Sequence, residues 1–240
     1  MTALLYQTDS YLKSFQAKVT ALDIEKQALQ LDQTAFYPGG GGQLPDSGFL
    51  RSNGEILPLK RARIIKGEIW HFFKEGFNLP ELGTEVQGEI DWEQRYKAMR
   101  THTAMHILCG VIFRDYGALV TGGNMDILKA HMDFEFASMS KELVQIIEKA
   151  VNKEVQAARD VRVAILPREE AFQIPDLIRT KINLLPKHIQ QVRTIEIVGL
   201  DLQADGGTHV HNTREVGKIN ITNYKSKGKI NKRIYVELEP

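Results

Sequence analysis

Thr101-His102-Thr103-Ala104-Met105-His106 lies near the middle of the chain and carries two histidines four residues apart. Residues around it recur at steps of three and four, which predicts a helix with one inward-facing stripe. That stripe comprises Trp92, Tyr96, Met99, Thr103, His106, Gly110 and Phe113. On a helix, positions four apart lie roughly 6 Å apart along the axis. The two imidazoles can therefore converge on one zinc ion, or they are core histidines bonded to their neighbours.

The histidine spacing equals that of zinc peptidases with a His-Glu-x-x-His helix, but Thr103 stands where their catalytic glutamate would be. This excludes that class of protease, and further metal ligands must come from elsewhere in the chain. Asp205 and His209 flank two glycines, so we expect them on a loop that can turn tightly. Together with His102 and His106 they form a His₃Asp set suited to zinc.

Two other residues compete for this site. Cys109 follows His106 by three positions but lies seven from His102, about 10.5 Å along a helix. One ion with short bonds would not reach all three residues, so we expect Cys109 in the core. His211 shares a strand face with His209 and remains an alternative ligand, although the preceding glycines favour His209.

Length and composition set broad limits on the function. The 240 residues suffice for one large domain or two small ones. Lys+Arg is 31 and Asp+Glu is 30, so the net charge of +1 gives no global indication of nucleic-acid binding. The single cysteine excludes an internal disulfide framework. Because no apolar run approaches the length of a membrane span and no signal layout is present, we expect a cytoplasmic protein without a membrane partner.

The pattern of elements predicts an α+β protein with two domains. Residues 1–90 contain short apolar runs separated by turn residues, which is typical of a small barrel or sandwich, and we expect a glycine-rich β-barrel-like domain. Residues 91–240 alternate helices and strands, which predicts an α+β domain with an antiparallel sheet, and this domain contains all four candidate zinc ligands. Asp91 and Ser140 are expected to cap its two helices, and Thr121–Asn124 is expected to be a loop. The expected strands of this domain lie at 129–136, 161–166, 193–198, 218–222 and 233–238.

Two further stretches have both a structural and a functional interpretation. Pro38–Gln43 holds four consecutive glycines and is either a surface turn or a loop that approaches a ligand, with Gln43 as a polar group. It is not a P-loop, because no Gly-Lys-Ser/Thr follows. Val216–Val236 contains six basic residues and no acid. This run is either a solvated strand edge with protective lysines or a surface that contacts phosphates.

Three motifs in this order resemble the alanyl-tRNA editing family. They are Thr34-Ala-Phe-Tyr-Pro with Gly41-Gly42-Gln43-x-x-Asp46-x-Gly48, the stretch from His102 to His106, and Gly206-Gly-Thr-His209-Val with Thr213. The family comprises the free-standing AlaX proteins and the editing domain of alanyl-tRNA synthetase. The resemblance runs from about residue 5 to residue 238, and the glycine-rich N-terminal domain is similar to the medium-length AlaX type. One position departs from the family, which commonly has Cys where this chain has Asp205.

The resemblance implies a trans-editing hydrolase with one Zn²⁺ per chain. Its substrate would be tRNA-Ala mischarged with serine, or with glycine as a second candidate, and the bond cleaved would be the aminoacyl ester. The implied catalytic candidates are Gln43, Thr34 and Asp46, and the implied RNA-binding residues are Lys225, Lys227, Lys229, Lys232 and Arg233. Zinc would either activate a water or orient the substrate amino group, and Asp205 would bind it directly, bind through a water, or leave that position to solvent.

Two alternatives from other classes remain open at this point. One is a non-catalytic tRNA-binding module with a structural zinc, which predicts a closed four-ligand site and no turnover. The other is a zinc hydrolase that acts on a small ester or amide, which predicts activity without tRNA. The sequence leaves the oligomeric state open.

Overall fold

The computed structural model describes residues 2–182, 185 and 189–240. The chain groups into two compact units, Met1–Tyr96 and Lys97–Pro240. The domain boundary expected after residue 90, and the roles expected of each domain, stay predictions. Within the described residues, no helix has both the length and the apolar character needed to cross a membrane.

The first unit is built on a closed six-stranded barrel, which confirms the barrel-like fold expected from the short apolar runs. All neighbouring strands of the barrel are antiparallel, in the order β2-β3-β7-β6-β5-β8. Two short strands outside the barrel, β1 and β4, pair in parallel. The strands are β1 Ala3–Leu4, β2 Ser14–Asp23, β3 Ala28–Leu31, β4 Gln33–Thr34, β5 Gly48–Ser52, β6 Glu55–Ile65, β7 Glu68–Phe73 and β8 Glu85–Ile90.

Alternation along the strands fills this barrel. Phe15, Ala17 and Val19 on β2 point inward, and the residues between them face solvent. Gly88 on the paired strand β8 makes room for Phe15, because a Cβ at Gly88 would lie 2.3 Å from the Phe15 ring. The interior is therefore a packed apolar core.

The second unit combines helices with two antiparallel sheets, as expected of an α+β layer. The four-stranded sheet has the order β14-β15-β10-β9, and the three-stranded sheet has the order β11-β12-β13. Its strands are β9 Val120–Asp126, β10 Lys129–Glu135, β11 Val161–Pro167, β12 Gln191–Ile197, β13 Asp201–Ala204, β14 Ile219–Ser226 and β15 Asn231–Leu238. Its helices are α1 Trp92–Tyr116, which begins in the first unit, α2 Lys141–Gln156 and α3 Arg168–Ala171.

Both predicted helix caps are confirmed. The Asp91 carboxylate accepts the amide of Gln94 at 3.1 Å, and the Ser140 hydroxyl accepts the amide of Leu143 at 3.2 Å.

The expectation of a single inward-facing stripe on α1 is wrong, because every residue from 101 to 112 is buried. Within the second unit, Arg100 donates to the carbonyl of Val216.

One predicted loop is also wrong. Thr121–Asn124 lies inside β9, where Gly122 and Gly123 pair with Asp133 and Met132 of β10. Glycine has a low intrinsic preference for strands, but the ladder to β10 overrides it.

Candidate metal centre

Helix α1 places two of the predicted ligands side by side. The imidazole centroids of His102 and His106 lie 5.1 Å apart, as expected for residues one helical turn apart. Both side chains are nearly inaccessible, with 3% and 6% of their surface exposed. Their fixed position follows from the burial of this part of α1.

The loop after β13 supplies the other two predicted ligands. The Asp205 carboxylate accepts the amide of Gly207 at 2.7 Å, which closes a tight turn before His209. Arg193 on β12 holds this turn, because its Nη1 donates to the carbonyls of Asp205 at 3.1 Å and Gly207 at 2.7 Å. The turn thus aims a carboxylate and an imidazole at one point.

The four side chains converge. His102, His106, Asp205 and His209 each offer one ligand atom, and these atoms all lie within 4.8 Å of one another. His102 Nε2 lies 3.5 Å from Asp205 Oδ1, and His209 Nε2 lies 3.0 Å from Asp205 Oδ2. Tetrahedral zinc with bonds near 2.0–2.1 Å separates its ligands by about 3.4 Å. The distances and the nitrogen and oxygen donor set therefore fit one zinc-sized cation.

Thr103 orients one of these ligands. Its Oγ1 lies 3.1 Å from His209 Nδ1 and also accepts the amide of Val210 at 3.3 Å. If Nε2 of His209 bound a metal, Nδ1 would carry the proton and donate it to Thr103. Such a contact fixes both the tautomer and the ring direction of a metal-binding histidine.

Asp201 lies behind His106. Its Oδ2 is 3.8 Å from His106 Nδ1, and its Oδ1 accepts from Arg179 Nε at 3.2 Å. The Arg179 guanidinium in turn lies 3.9 Å over the ring of Phe113 on α1. The carboxylate is thus held in place beside a candidate ligand without belonging to the four-residue cluster.

Burial sets the protonation state of the cluster. It lowers the pKa of His102 to about 4, despite the opposing effect of Asp205, and it lowers the pKa of His209 well below its usual value. Burial alone would raise the pKa of Asp205, but the imidazoles of His102 and His209 outweigh it and hold that pKa well below the usual value. At neutral pH the two histidines are uncharged and Asp205 is a carboxylate, as metal binding requires.

The structure separates the competing residues from the cluster. Cys109 is buried, as predicted, and burial raises the pKa of its thiol far above the usual value. His211 is exposed and does not belong to the converging group. The assignment of ligands stays a prediction, but the geometry favours His209 over His211.

The glycine-rich stretch forms a tight turn in the first unit. Gly39, Gly40, Gly41 and Gly42 have φ angles of +84°, +132°, +56° and +90°, a region that residues with a Cβ rarely adopt. Gly40 and Gln43 exchange two backbone hydrogen bonds, of 3.2 and 2.9 Å. The glycines therefore serve the backbone of the turn, whatever their role toward a ligand. The Gln43 side chain is 3% exposed, and its role toward a ligand stays a prediction.

Thr34 and Asp46 have structural partners within the first unit. Thr34 Oγ1 lies 2.9 Å from Nε2 of the buried His71. Asp46 accepts the amide of Tyr37 at 2.6 Å and pairs with the fully buried Arg95, whose Nε donates to Oδ1 at 2.8 Å. Both side chains therefore stabilise the backbone around the glycine turn, and their expected part in catalysis stays untested.

The five predicted RNA-binding residues fall into two groups. Lys225, Lys227 and Lys229 are exposed. Lys232 is buried and donates to the carbonyls of Gly228 at 2.8 Å and Lys229 at 3.1 Å. Arg233 forms two hydrogen bonds with Asp133, of 2.6 and 2.9 Å, which lower the pKa of that carboxyl. Only the first group presents uncompensated charge for a phosphate.

Comparison with known proteins identifies the family of the chain. Two family models match, described as "tRNA synthetases class II (A)" over residues 6–94 and "Threonyl and Alanyl tRNA synthetase second additional domain" over residues 192–235. The chain is 40% identical to the alanyl-tRNA editing protein AlaX-M of Saccharolobus solfataricus, with 100% of both chains covered. It is 35% identical to the AlaX-M protein of Methanosarcina barkeri, with 99% of both covered. The chain belongs to the AlaX-M family of alanyl-tRNA editing proteins.

Membership of the AlaX-M family confirms the resemblance expected from the three motifs. The chain is also 38% identical to the alanine–tRNA ligase of Pyrobaculum aerophilum, a match that covers 92% of this chain and 25% of the ligase. The similarity therefore extends to one part of a much longer synthetase.

Sequence reasoning missed the residues that hold this AlaX-M site together. The sequence pattern places Thr103 on the inward-facing stripe and at the position of the absent glutamate, but it does not indicate a role for Thr103, Asp201, Arg179 or Arg193 in holding the ligands. The position of Thr103 offers one indication of its role, because a hydroxyl that lies between two helical histidines can reach a third ligand. The other three are brought close by chain segments distant in sequence, which no local pattern predicts.

Proposed function

We propose that this chain hydrolyses the ester bond of tRNA-Ala mischarged with serine, and with glycine as a second substrate, in trans. Water adds to the ester carbonyl, and the products are the free amino acid and the 3′-terminal adenosine hydroxyl of the tRNA. The observation that carries the proposal is the convergence of His102, His106, Asp205 and His209 within 4.8 Å in a chain of the AlaX-M family.

The proposed cofactor is one zinc ion per chain, held by the three histidines with Asp205 as the fourth or adjacent ligand. When bound, zinc would supply Lewis-acid polarisation in a largely buried site. The carboxylate of Asp205 keeps an anionic donor at the position where the family commonly has Cys. Thr103 and Arg193 keep the His209 ring and the Asp205 turn in place.

Selection of serine over alanine calls for polar groups that pair with a hydroxyl. A site built to hydrogen-bond a hydroxyl rejects an analogue without it far better than an apolar pocket rejects the hydroxyl. Gln43 is our candidate for such a contact, with both a donor and an acceptor on its amide. Thr34 and Asp46 are proposed to position the Gln43 turn, because their own polar atoms bond to His71, Arg95 and Tyr37.

The exposed lysines of the C-terminal hairpin are the proposed phosphate contacts. Lys225, Lys227 and Lys229 follow one another at alternate positions in an acid-free run. We leave Lys232 and Arg233 out of the proposed contact set, since backbone carbonyls and Asp133 already engage them.

The proposed reaction is tested with labelled Ser-tRNA-Ala and purified protein, with loss of label from the tRNA as the readout. We expect turnover of Ser-tRNA-Ala and slow turnover of Ala-tRNA-Ala, and we expect none of a tRNA-free seryl ester. Binding without turnover would instead indicate a non-catalytic module with a structural metal. Turnover of the tRNA-free ester at the same rate would indicate a small-ester hydrolase.

The Gln43 turn has its own test. Gln43→Ala is expected to fold normally, keep its zinc and lose most deacylation. Gln87→Ala, which changes a half-buried glutamine on barrel strand β8, is the matched control and should edit like the parent. If Gln43→Ala deacylates at the parent rate, the glycine stretch is only a turn.

A further inference from the structure

The four-stranded sheet of the second unit has one apolar and one polar face. Ala130, Phe134, Ile234 and Val236 are buried on one side of β10 and β15. Residues between them point to the opposite face, because side chains alternate along a strand. That second face carries a row of four side chains at matched positions across all four strands, namely Asn124, His131, Tyr235 and Asn223.

The centre of this row is aromatic. The rings of His131 and Tyr235 lie 5.7 Å apart with their planes tilted by 47°. Both residues are half-buried, and the two asparagines at the ends of the row are exposed. Burial, with a further contribution from Arg233, lowers the pKa of His131, so at neutral pH its ring is an uncharged aromatic surface.

A shallow, open cavity of about 340 Å³ lies over this row, and all four residues line it. This volume falls in the range of small-molecule sites. A register shift in β14 between Ile221 and Asn223 aligns Asn223 with Tyr235. Irregularities of this kind often re-aim a side chain next to a functional site.

The charges beside the cavity are compensated. Lys129 lies 3.7 Å from Glu237, and Arg233 forms two hydrogen bonds with Asp133. The cavity lining itself holds two acids, Asp126 and Glu237, and one base, Lys129, so it does not favour an anion. A flat, neutral, hydrogen-bonding ring fits better, because it can stack on the aromatic pair and bond to the amides at either end.

We propose that the Asn124-His131-Tyr235-Asn223 row binds an unpaired nucleobase of RNA. A helix-backed, four-stranded antiparallel sheet with aromatic residues on its open face is a known solution to single-strand recognition. The hairpin that carries Tyr235 also carries exposed Lys225 and Lys227, which lie toward its turn and would contact phosphates on that side of the bound base. The inference deepens the proposed function, since it rests on an RNA substrate, and it assigns the base contact to a surface remote in sequence from the histidine motif.

The test measures binding of a fluorescent single-stranded RNA hexamer, with no aminoacyl group, to the full chain. Tyr235→Ala should weaken binding by about 5- to 150-fold, the range found for loss of one stacked base. Tyr235→Phe keeps the ring and should bind like the parent. Tyr116→Ala, which removes an exposed tyrosine at the end of α1, is the control and should change nothing.

Salt dependence separates base contacts from phosphate contacts. Tyr235→Ala should leave the slope of log affinity against log salt unchanged, while Lys225→Gln/Lys227→Gln should reduce it by about 0.7 per lost contact. A duplex of the same sequence should bind weakly and should not respond to Tyr235→Ala. Asn124→Ala replaces an exposed side chain, so it reports on the cavity even if Tyr235→Ala does not fold, and it should weaken binding several-fold.

Parent-like hexamer affinity in folded Tyr235→Ala and in Asn124→Ala would overturn the proposal. A slope that falls with Tyr235→Ala would also overturn it, because the contact would then be ionic. The two proposals fail separately. If no base contact is found and deacylation is intact, only the proposal of a base-binding row is rejected. If the parent chain binds the hexamer through Tyr235 but does not deacylate, only the proposed hydrolase activity is rejected.

Discussion

Each unit buries a histidine beside polar groups, but one histidine is part of the scaffold and the other is a candidate metal ligand. His71 in the barrel and His102 in α1 are both almost inaccessible, and burial lowers the pKa of each to about 4. His71 Nε2 meets a single hydroxyl, that of Thr34, at 2.9 Å. His102 instead faces two further imidazoles and a carboxylate. Burial and a shifted pKa are thus shared by a scaffold residue and a candidate ligand.

What distinguishes the two environments is the type of partner. In the barrel unit donors meet acceptors, as where Arg95 meets Asp46 and the carbonyls of Ser10 and Ala35. In the second unit, three imidazoles and a carboxylate bring acceptor atoms together, an arrangement that a cation stabilises. Convergence of lone pairs, rather than burial, therefore distinguishes the candidate metal site from the buried scaffold histidine.

The largest effects are expected at the two ligands of the loop. His209→Ala should abolish tight zinc binding and deacylation together, because it removes a nitrogen donor from the centre of the cluster. Asp205→Ala should weaken zinc affinity less, since the three histidines remain, yet still impair deacylation. A zinc titration and a deacylation assay on both variants measure this. If Asp205→Ala binds zinc and edits like the parent, Asp205 takes no part in metal binding or in the reaction.

The barrel histidine should affect stability and not metal. Its folded pKa of about 4 lies below the usual 6.5, so the unfolded chain binds the extra proton between these pH values and stability falls as pH drops through that window. Replacing the pair by His71→Leu/Thr34→Val removes this term, worth about 3 kcal/mol at pH 4. We expect unchanged zinc content and a shallower loss of unfolding free energy from pH 6.5 to 4. A pH dependence equal to that of the parent would contradict this interpretation.

A smaller effect is expected at Thr103. Thr103→Val keeps the shape of the side chain but removes the acceptor for His209 Nδ1, and zinc affinity should fall by about 10- to 100-fold. Thr103→Ser restores the oxygen and should restore affinity, as measured by competition with a chelator. Equal affinities in Thr103→Val and Thr103→Ser would show that packing, not the hydrogen bond, positions the ring.

Elements with a strong local signal were predictable from the sequence. The helix that begins after Asp91 and the helix capped by Ser140 combine apolar periodicity with a capping side chain, so local and tertiary forces agree. The barrel was predictable from its short alternating strands. The strand over Thr121–Asn124 was missed because its two glycines have a low strand preference, and only the pairing with β10 creates it.

The candidate ligands could be predicted from the sequence, but the residues that hold them in position could not. The spacing from His102 to His106 and the turn before His209 are local features, whereas Arg193 reaches that turn from another strand. Lys232 illustrates a signal that was present and not used. It shares a strand face with Ile234, Val236 and Leu238, and that alternation predicts the burial found in the structure.

The most direct test of the account is the zinc content of His102→Ala/His106→Ala, measured by elemental analysis beside the deacylation of Ser-tRNA-Ala. His211→Ala, which changes an exposed histidine just beyond the site, is the control. We predict about one zinc per chain in the parent and the control, and neither zinc nor deacylation in the double variant. Full zinc in the double variant would show that His102 and His106 do not hold the metal. Deacylation at the parent rate without zinc would show that the reaction does not need it.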